Sequence, residues 1–454
     1  MERKSAWERW DEKKKKEAFA FCELYKTALS ECKTERKWWR RTVEEARERG
    51  FRNLSEMQRL KPGDSFFKEN RGRGGIVGIL GKKPLSAGAK FIAAHIDCPR
   101  IDLKANPLYE DENLALFKTL YYGGIKKYQW FSLPLALYGH AVLKNGAVRP
   151  IAVGDADGDP VFVITDLLPH LAKDQMKKTI EDGFPGEGLN ILAASIPEPG
   201  KEKERVKRAV LTLLKKKYGI TEDDFFSAEF QAVPAGKARD LGFDRSMIIA
   251  YGQDDRVCSF TALRALFDAG KSDRSCFCIL ADQEEIGSRG STSTQSSFIR
   301  NSIEEIMEKS GGNARDLKYC FERSRALSGD VDSLFDPNFK EVHDPRNAGR
   351  IGHGVIVSRT TGGRGKYAST EPTAQYLASL RSIFERRKIC WQAGELGKGE
   401  QGGGGTVATY IALLNIDTID CGTGVLSMHA PFEITGKSDV YSTYEAYKAF
   451  YQEE

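Results

Sequence analysis

Apolar residues recur every three or four positions through residues 17–51: Ala18, Phe21, Cys22, Tyr25, Ala28 and Leu29, then Trp38, Trp39, Val43 and Ala46. No proline interrupts the chain before Pro62. That period predicts helices over most of the first sixty residues. Glycine-rich RGRGG at 71–75 leads into the apolar run IVGIL, which reads as a loop and then a strand. Phe91 to Ala94 form a second short apolar strand, ending in His95, Ile96 and Asp97.

The texture changes from about residue 101 to 249. Short alternating runs (ALYGHAVL, VRPIAVG, PVFVITDLL) are broken by prolines and by aspartate–glycine turns, as in a β-rich module. A lysine-rich helix at about 201–217 and the run EFQAVPAG complete it. After Asp254 helices and strands alternate. CSFTALRALFDAG is an amphipathic helix stopping at glycine, CFCILAD a buried strand, SSFIRNSIEEIMEKSGG a helix, RALSGDVD a strand and DVYSTYEAYKAFYQEE the closing helix. Alternation of this kind predicts an α/β fold with a mostly parallel sheet flanked by helices. The expected organisation is one catalytic domain, 1–100 with 250–454, carrying an inserted β-rich domain at 101–249.

Composition narrows the function classes. The 454 residues exceed the roughly 250–300 at which one core stops growing, so more than one domain is expected. Sixty-nine basic and 64 acidic residues leave a net charge of +5, which gives no reason to expect a nucleic-acid or membrane partner. No apolar run approaches the roughly 18 residues of a membrane-spanning helix. Nine cysteines without paired CxxC spacing read as packed thiols. The start, MERKSAWERWDEKKKKEAF, has no hydrophobic signal core, so a cytoplasmic location is expected. GKKPLSAG lacks the phosphate-loop pattern, which sets nucleotide binding aside.

In open α/β sheets ligands bind beyond the carboxyl ends of the strands. The polar residues at such places are His95 and Asp97, Asp254 and Asp255, Glu284 and Glu285, Asp330 and Asp332, and His429. All are imidazoles or carboxylates, the donors suited to zinc, manganese or cobalt. Gathering that many carboxylates without cations is costly, and two divalent ions would resolve it. His140, in an alternating strand, reads as structural.

The order and surroundings of these residues resemble the M18 aminopeptidase family, which includes aspartyl aminopeptidase and vacuolar aminopeptidase I. The landmarks are AAHIDCPRIDLK at 93–104, DDRVCSFTALRAL at 254–266, DQEEIGSRGS at 282–291, LSGD at 327–330, GGGGTVA at 402–408 and SMHAPFE at 427–433. The similarity spans nearly the whole chain, the insertion included. It implies an aminopeptidase that acts on short peptides with a free N-terminus and holds two divalent ions per chain: zinc first, with manganese and cobalt suited to the same donors. His95, Asp254 and Asp330 would hold one ion, Asp254, Glu285 and His429 the other. Glu284 would be the general base and Asp97 the carboxylate behind His95.

The resemblance also assigns His170, in LLPHLAKD, to a neighbouring subunit's active site, and places His353 and Lys366 toward substrate. It makes the insertion a dimerisation domain and the assembly a homodimer building a tetrahedral dodecamer. Two departures bear on specificity. Asp254-Asp255-Arg256 stands where aspartyl aminopeptidases carry DN and an aliphatic residue, and HAPFE replaces the usual MHS-type surroundings. The reaction follows from the resemblance more firmly than an acidic first residue does. The competing expectations are another binuclear hydrolase, a carboxypeptidase or deacylase with a basic clamp, and a metal-stabilised scaffold without catalysis.

Overall fold

A computed structural model describes residues 4–200, 202–270 and 272–453. The chain forms two compact units, one of residues 1–98, 238–428 and 433–454, the other of 99–237 with 429–432.

The first unit is built on nine strands: β1 (Arg52–Asn53), β2 (Ser65–Glu69), β3 (Gly75–Ile79), β4 (Lys90–His95), β5 (Cys276–Ala281), β6 (Arg325–Ser328), β7 (Val355–Ser358), β8 (Trp391–Gly394) and β9 (Asp417–Gly422). Their order across the sheet is β1-β2-β3-β5-β4-β6-β9-β7-β8. The middle four, β5, β4, β6 and β9, are mutually parallel. β3 runs antiparallel to β5, and β7 antiparallel to β9, so the sheet is mixed toward its edges. Apolar runs report burial but carry no strand direction, which is why the edges were not legible from pattern alone.

The central strands are apolar on both faces because helices cover both. Ile92 and Ala94 of β4 with Cys278 and Leu280 of β5 enter one core; Phe91, Ala93, Phe277 and Ile279 enter the other. Helices α1 (Glu12–Glu31), α2 (Glu35–Glu48), α3 (Gln253–Asp268) and α4 (Lys437–Gln452) supply the first core. Asp11 starts α1 by accepting from Lys14 N at 2.8 Å, and Thr34 starts α2 from Lys37 N at 3.3 Å, each satisfying an orphan helix donor. The helical stretch expected over sixty residues thus ends at Glu48, before β1. All nine cysteines are buried and free, with Cys276 and Cys278 in one core as their two-residue spacing predicts.

A smaller five-stranded sheet in this unit runs Arg239–Leu241, Met247–Ala250, Glu433–Gly436, Gly424–Leu426, Asp332–Ser333. The second unit is a six-stranded sheet of antiparallel pairs, from Val148–Val153 at one edge to Ile191–Ala194 at the other. Its lysine-rich helix spans Arg205–Tyr218 and stops at Gly219, whose φ of 73° suits glycine; Lys201 lies outside the described residues.

Candidate metal centre

Three neighbouring parallel strands stop together. His95 ends β4 opposite Ala281, the last residue of β5, and Ser328 ends β6 opposite Ala93. The polar residues that follow are therefore delivered to one edge of the sheet. His95 is 1% exposed and Asp97 fully buried. Gly329 N donates to Ala93 O at 2.7 Å, which seats the turn carrying Asp330. A Cβ at Gly422 on β9 would collide with the Asp330 carbonyl, so glycine is required for that approach.

Asp254 and Asp255 open α3 with non-helical dihedrals and a cis peptide between them. Gly252, at φ 71°, precedes them, and a Cβ there would lie 2.6 Å from Arg256 Nη1. The Asp254 backbone N–H donates to Glu433 Oε2 at 2.9 Å, and Gln253 Nε2 donates to Glu433 O at 2.6 Å. On the other side, Gln283 takes a left-handed φ of 63° directly after the Asp282 bend. The next two N–H groups, of Glu284 and Glu285, each donate to an Asp97 carboxylate oxygen at 3.1 Å. His95 Nδ1–H donates to the Asp97 carbonyl at 3.0 Å. Asp97 therefore fixes both the His95 ring and the Glu284–Glu285 turn.

That hydrogen bond leaves Nε2 of His95 as the ring's lone-pair donor, 3.1 Å from Asp254 Oδ1, 3.9 Å from Asp330 Oδ1 and 4.0 Å from Glu284 Oε2. His429, itself at φ 63°, donates through Nδ1 to Gly124 O at 2.9 Å, which fixes the same tautomer. Two groups of potential ligands result, His95/Asp254/Asp330 and Asp254/Glu285/His429, and within each the donor atoms lie within 4.8 Å of one another. Asp254 belongs to both.

The electrostatics fit divalent cations. Burial pushes the Asp330 carboxyl well above the usual range, and the neighbouring Asp255, Glu284 and Asp254 push it further, against the pull of His95. Burial likewise raises Asp255, with His95 opposing and Asp254 reinforcing. Burial disfavours the charged His95 ring, yet its bonds to Asp254 and Asp97 raise its pKa well above the ordinary value. Carboxylates collected this closely ionise together only beside positive charge, and nitrogen and oxygen donors in two sets of three suit zinc, manganese or cobalt.

The other expected residues are not members of the two ligand groups. His170 sits in an exposed turn of the second unit. His353 lies between Gly352 and Gly354, whose N–H groups both donate to Asp439 at 2.7 Å, and it interacts electrostatically with Glu8. Lys366 is exposed and paired with Glu371 at 2.8 Å. Neither His353 nor Lys366 joins a ligand group. Asp332 accepts from Ser358 Oγ at 2.6 Å, also outside both groups. Sequence spacing does not mark Glu433, which is 1% exposed, although it stands four residues after His429. Its role becomes visible only once the Glu433–Gly436 strand pairs with Met247–Ala250 and brings it opposite Ala250.

The profile of the family described as aminopeptidase I zinc metalloprotease (M18) matches residues 28–451. A protein from Clostridium acetobutylicum named probable M18 family aminopeptidase 1 is 46% identical over 455 residues, 99% of this chain and 98% of its own. The crystal structure of an M18 aminopeptidase from Thermotoga maritima superposes with a TM-score of 0.97 at 41% identity, covering both chains fully. That of aminopeptidase I from Borrelia burgdorferi gives 0.85 at 38%, over 99% of this chain and 100% of the other. A yeast aminopeptidase 1 structure, determined as a dodecamer, shares the fold at 21% identity with a TM-score of 0.76, over 96% of each chain. The chain belongs to the M18 family, and its two histidine–carboxylate groups joined at Asp254 make it a binuclear, metal-dependent aminopeptidase.

Proposed function

We propose that Glu284 is the general base of peptide hydrolysis and that Asp97 is the residue that positions it. The observation that carries this reading is the division between adjacent glutamates: Glu285 belongs to a ligand group and Glu284 does not, while both are anchored by their N–H groups to Asp97. Two divalent ions, when bound, supply a Lewis acid for the scissile carbonyl and lower the pKa of the attacking water. Glu284 takes the proton from that water and returns it to the leaving amine. The carboxylates of the centre favour a free, cationic α-amine, which makes the activity exopeptidic on short peptides. Zinc is the proposed ion, in keeping with the family's description.

Acetylation of a peptide's N-terminus removes that charge and should abolish cleavage, measured on matched free and acetylated substrates. Comparable rates on both would instead support a deacylase or endopeptidase. Arg256 is 1% exposed and so offers no cation to an acidic first side chain.

Residues 1–100 and 250–454 are assigned the catalytic role, and 101–249 a dimerisation role. Support for self-association comes from exposed apolar side chains around His170: Leu167, Leu168, Leu171 and Met176 are 51%, 50%, 68% and 75% exposed. A second copy would cover them through a self-complementary interface, in a homodimer or a dodecamer like the yeast relative's. His170 would then donate to the oxyanion in its neighbour's site. Mixing inactive His170→Ala and Glu284→Gln proteins under subunit exchange should restore activity, because some sites combine an intact Glu284 with an intact His170. Proven exchange without recovery would sink the shared site. No helix among the described residues is long and apolar enough to cross a membrane, and the proposed location is cytoplasmic.

A further inference from the structure

Behind the Glu284–Glu285 turn lies a buried ionic network that the chemistry described so far does not use. Asp282, the first residue after β5, is fully buried. Arg73 grips it in a forked arrangement, Nε to Oδ2 at 2.7 Å and Nη2 to Oδ1 at 3.4 Å. The same guanidinium reaches Glu35, the first residue of α2, with Nη2 to Oε1 at 3.0 Å; Glu35 too is fully buried. Thr292 Oγ1 adds a third bond, to Asp282 Oδ2 at 2.6 Å, and another to Gln283 Oε1 at 3.2 Å.

The backbone around these groups leaves little slack. Asn70 N–H donates to Gly74 O at 2.8 Å and Asn70 Nδ2 to Ser291 O at 3.2 Å, which closes the 70–74 turn over the segment it serves. A Cβ on Gly74, at φ 154°, would overlap the Leu280 carbonyl, and one on Gly290 would overlap Gln283 Oε1. The two residues between Asp282 and Glu285 have one left-handed conformation among them, at Gln283. Arg73 and Thr292 thus anchor the start of a segment whose next two residues, Glu284 and Glu285, are tied by their N–H groups to Asp97.

From this geometry we infer that Arg73 is a positioning residue of the active site: by fixing Asp282 against Glu35 it sets the bend that turns Glu285 toward the metal and leaves Glu284 for the proton. The inference rests on the roles proposed for those two glutamates. A purely structural buried ion pair would be expected to matter for stability alone. A positioning pair also affects the chemistry, because small misplacements of reacting groups cost large factors in rate. Arginine suits the task because its planar fork holds two carboxylates at fixed angles, which lysine's point charge does not.

The test compares Arg73→Lys, Asp282→Asn and the double variant in the full-length protein. Arg73→Lys keeps a cation between the two carboxylates, and Asp282→Asn leaves Arg73 paired with Glu35, so each retains charge compensation. Mn2+ affinity of the chelator-stripped proteins is measured by calorimetry, and kcat and KM on a free-amine peptide after reloading. Each single variant should weaken Mn2+ binding by about 10-fold or more and lower kcat by a similar factor, with KM within about two-fold. The double variant should be no worse than the poorer single one, the non-additivity expected of two groups acting as a pair. Melting temperatures that fall while kcat and Mn2+ affinity stay at wild-type values would overturn the inference, as would strictly additive losses. If Arg73→Lys does not fold, Asp282→Asn and Thr292→Val decide it by the same two readouts. Glu284→Gln in the same series keeps the two readings apart: an undiminished kcat there would remove Glu284 as base, whereas the Mn2+ affinities would still report on Arg73.

Discussion

Glu284→Gln should lower kcat by at least the ~100-fold characteristic of general acid–base catalysis while leaving metal content near wild type. The substitution keeps the size of the side chain and the backbone N–H that donates to Asp97 Oδ1, so the turn should hold its shape. What it removes is a carboxylate that faces His95 Nε2 at 4.0 Å and belongs to neither ligand group. Glu285→Gln should behave differently. Its backbone anchor to Asp97 Oδ2 also survives, but a metal donor is lost, so occupancy should fall first and activity with it. Measuring metal per chain beside kcat separates the two. Parallel loss of metal in both variants, or no loss of turnover in Glu284→Gln, would show that the neighbouring glutamates do not divide the labour in this way.

The second large effect is expected at the histidines. His95→Ala removes a donor whose ring is oriented by Asp97, and His429→Ala one oriented by Gly124. Loss of an outer partner alone typically costs 10–100-fold in metal affinity, and loss of the ligand itself should cost at least about that much. Each variant should lose occupancy and activity together. The two are distinguishable because His95 is 1% exposed among Asp254, Glu284 and Asp330, whereas His429 shares its group with Glu285. Full occupancy in both, measured by mass spectrometry of the metals, would contradict the ligand assignment.

The strand ends were legible before the structure because apolar runs that stop abruptly at acids or histidines are unusual in a buried sheet: His95, Glu284, Asp330 and His429 all announced themselves this way. The family resemblance then grouped them, and the structure brings together the two sets it implied. What the pattern does not carry is long-range pairing. Glu433 matters only because its strand lies beside Met247–Ala250, and Arg73 only because the 70–74 turn closes over Asp282. Neither spacing nor periodicity connects residues so far apart in sequence. Strand direction was hidden for a related reason, since IVGIL and CFCILAD read alike although β3 and β5 run antiparallel. His353 and Lys366 had no strand end to place them, and the structure shows them with Glu8 and Glu371 as neighbours.

Asp254 belongs to both ligand groups, so both ions would depend on it. The most direct measurement is metal per chain in purified wild-type protein and in Asp254→Ala, each reloaded from the stripped form with excess Zn2+ or Mn2+ and then desalted. The bridging arrangement predicts two ions per wild-type chain and close to none in Asp254→Ala, because both ligand groups lose the same carboxylate. One ion per wild-type chain, or one retained ion in Asp254→Ala, would contradict it.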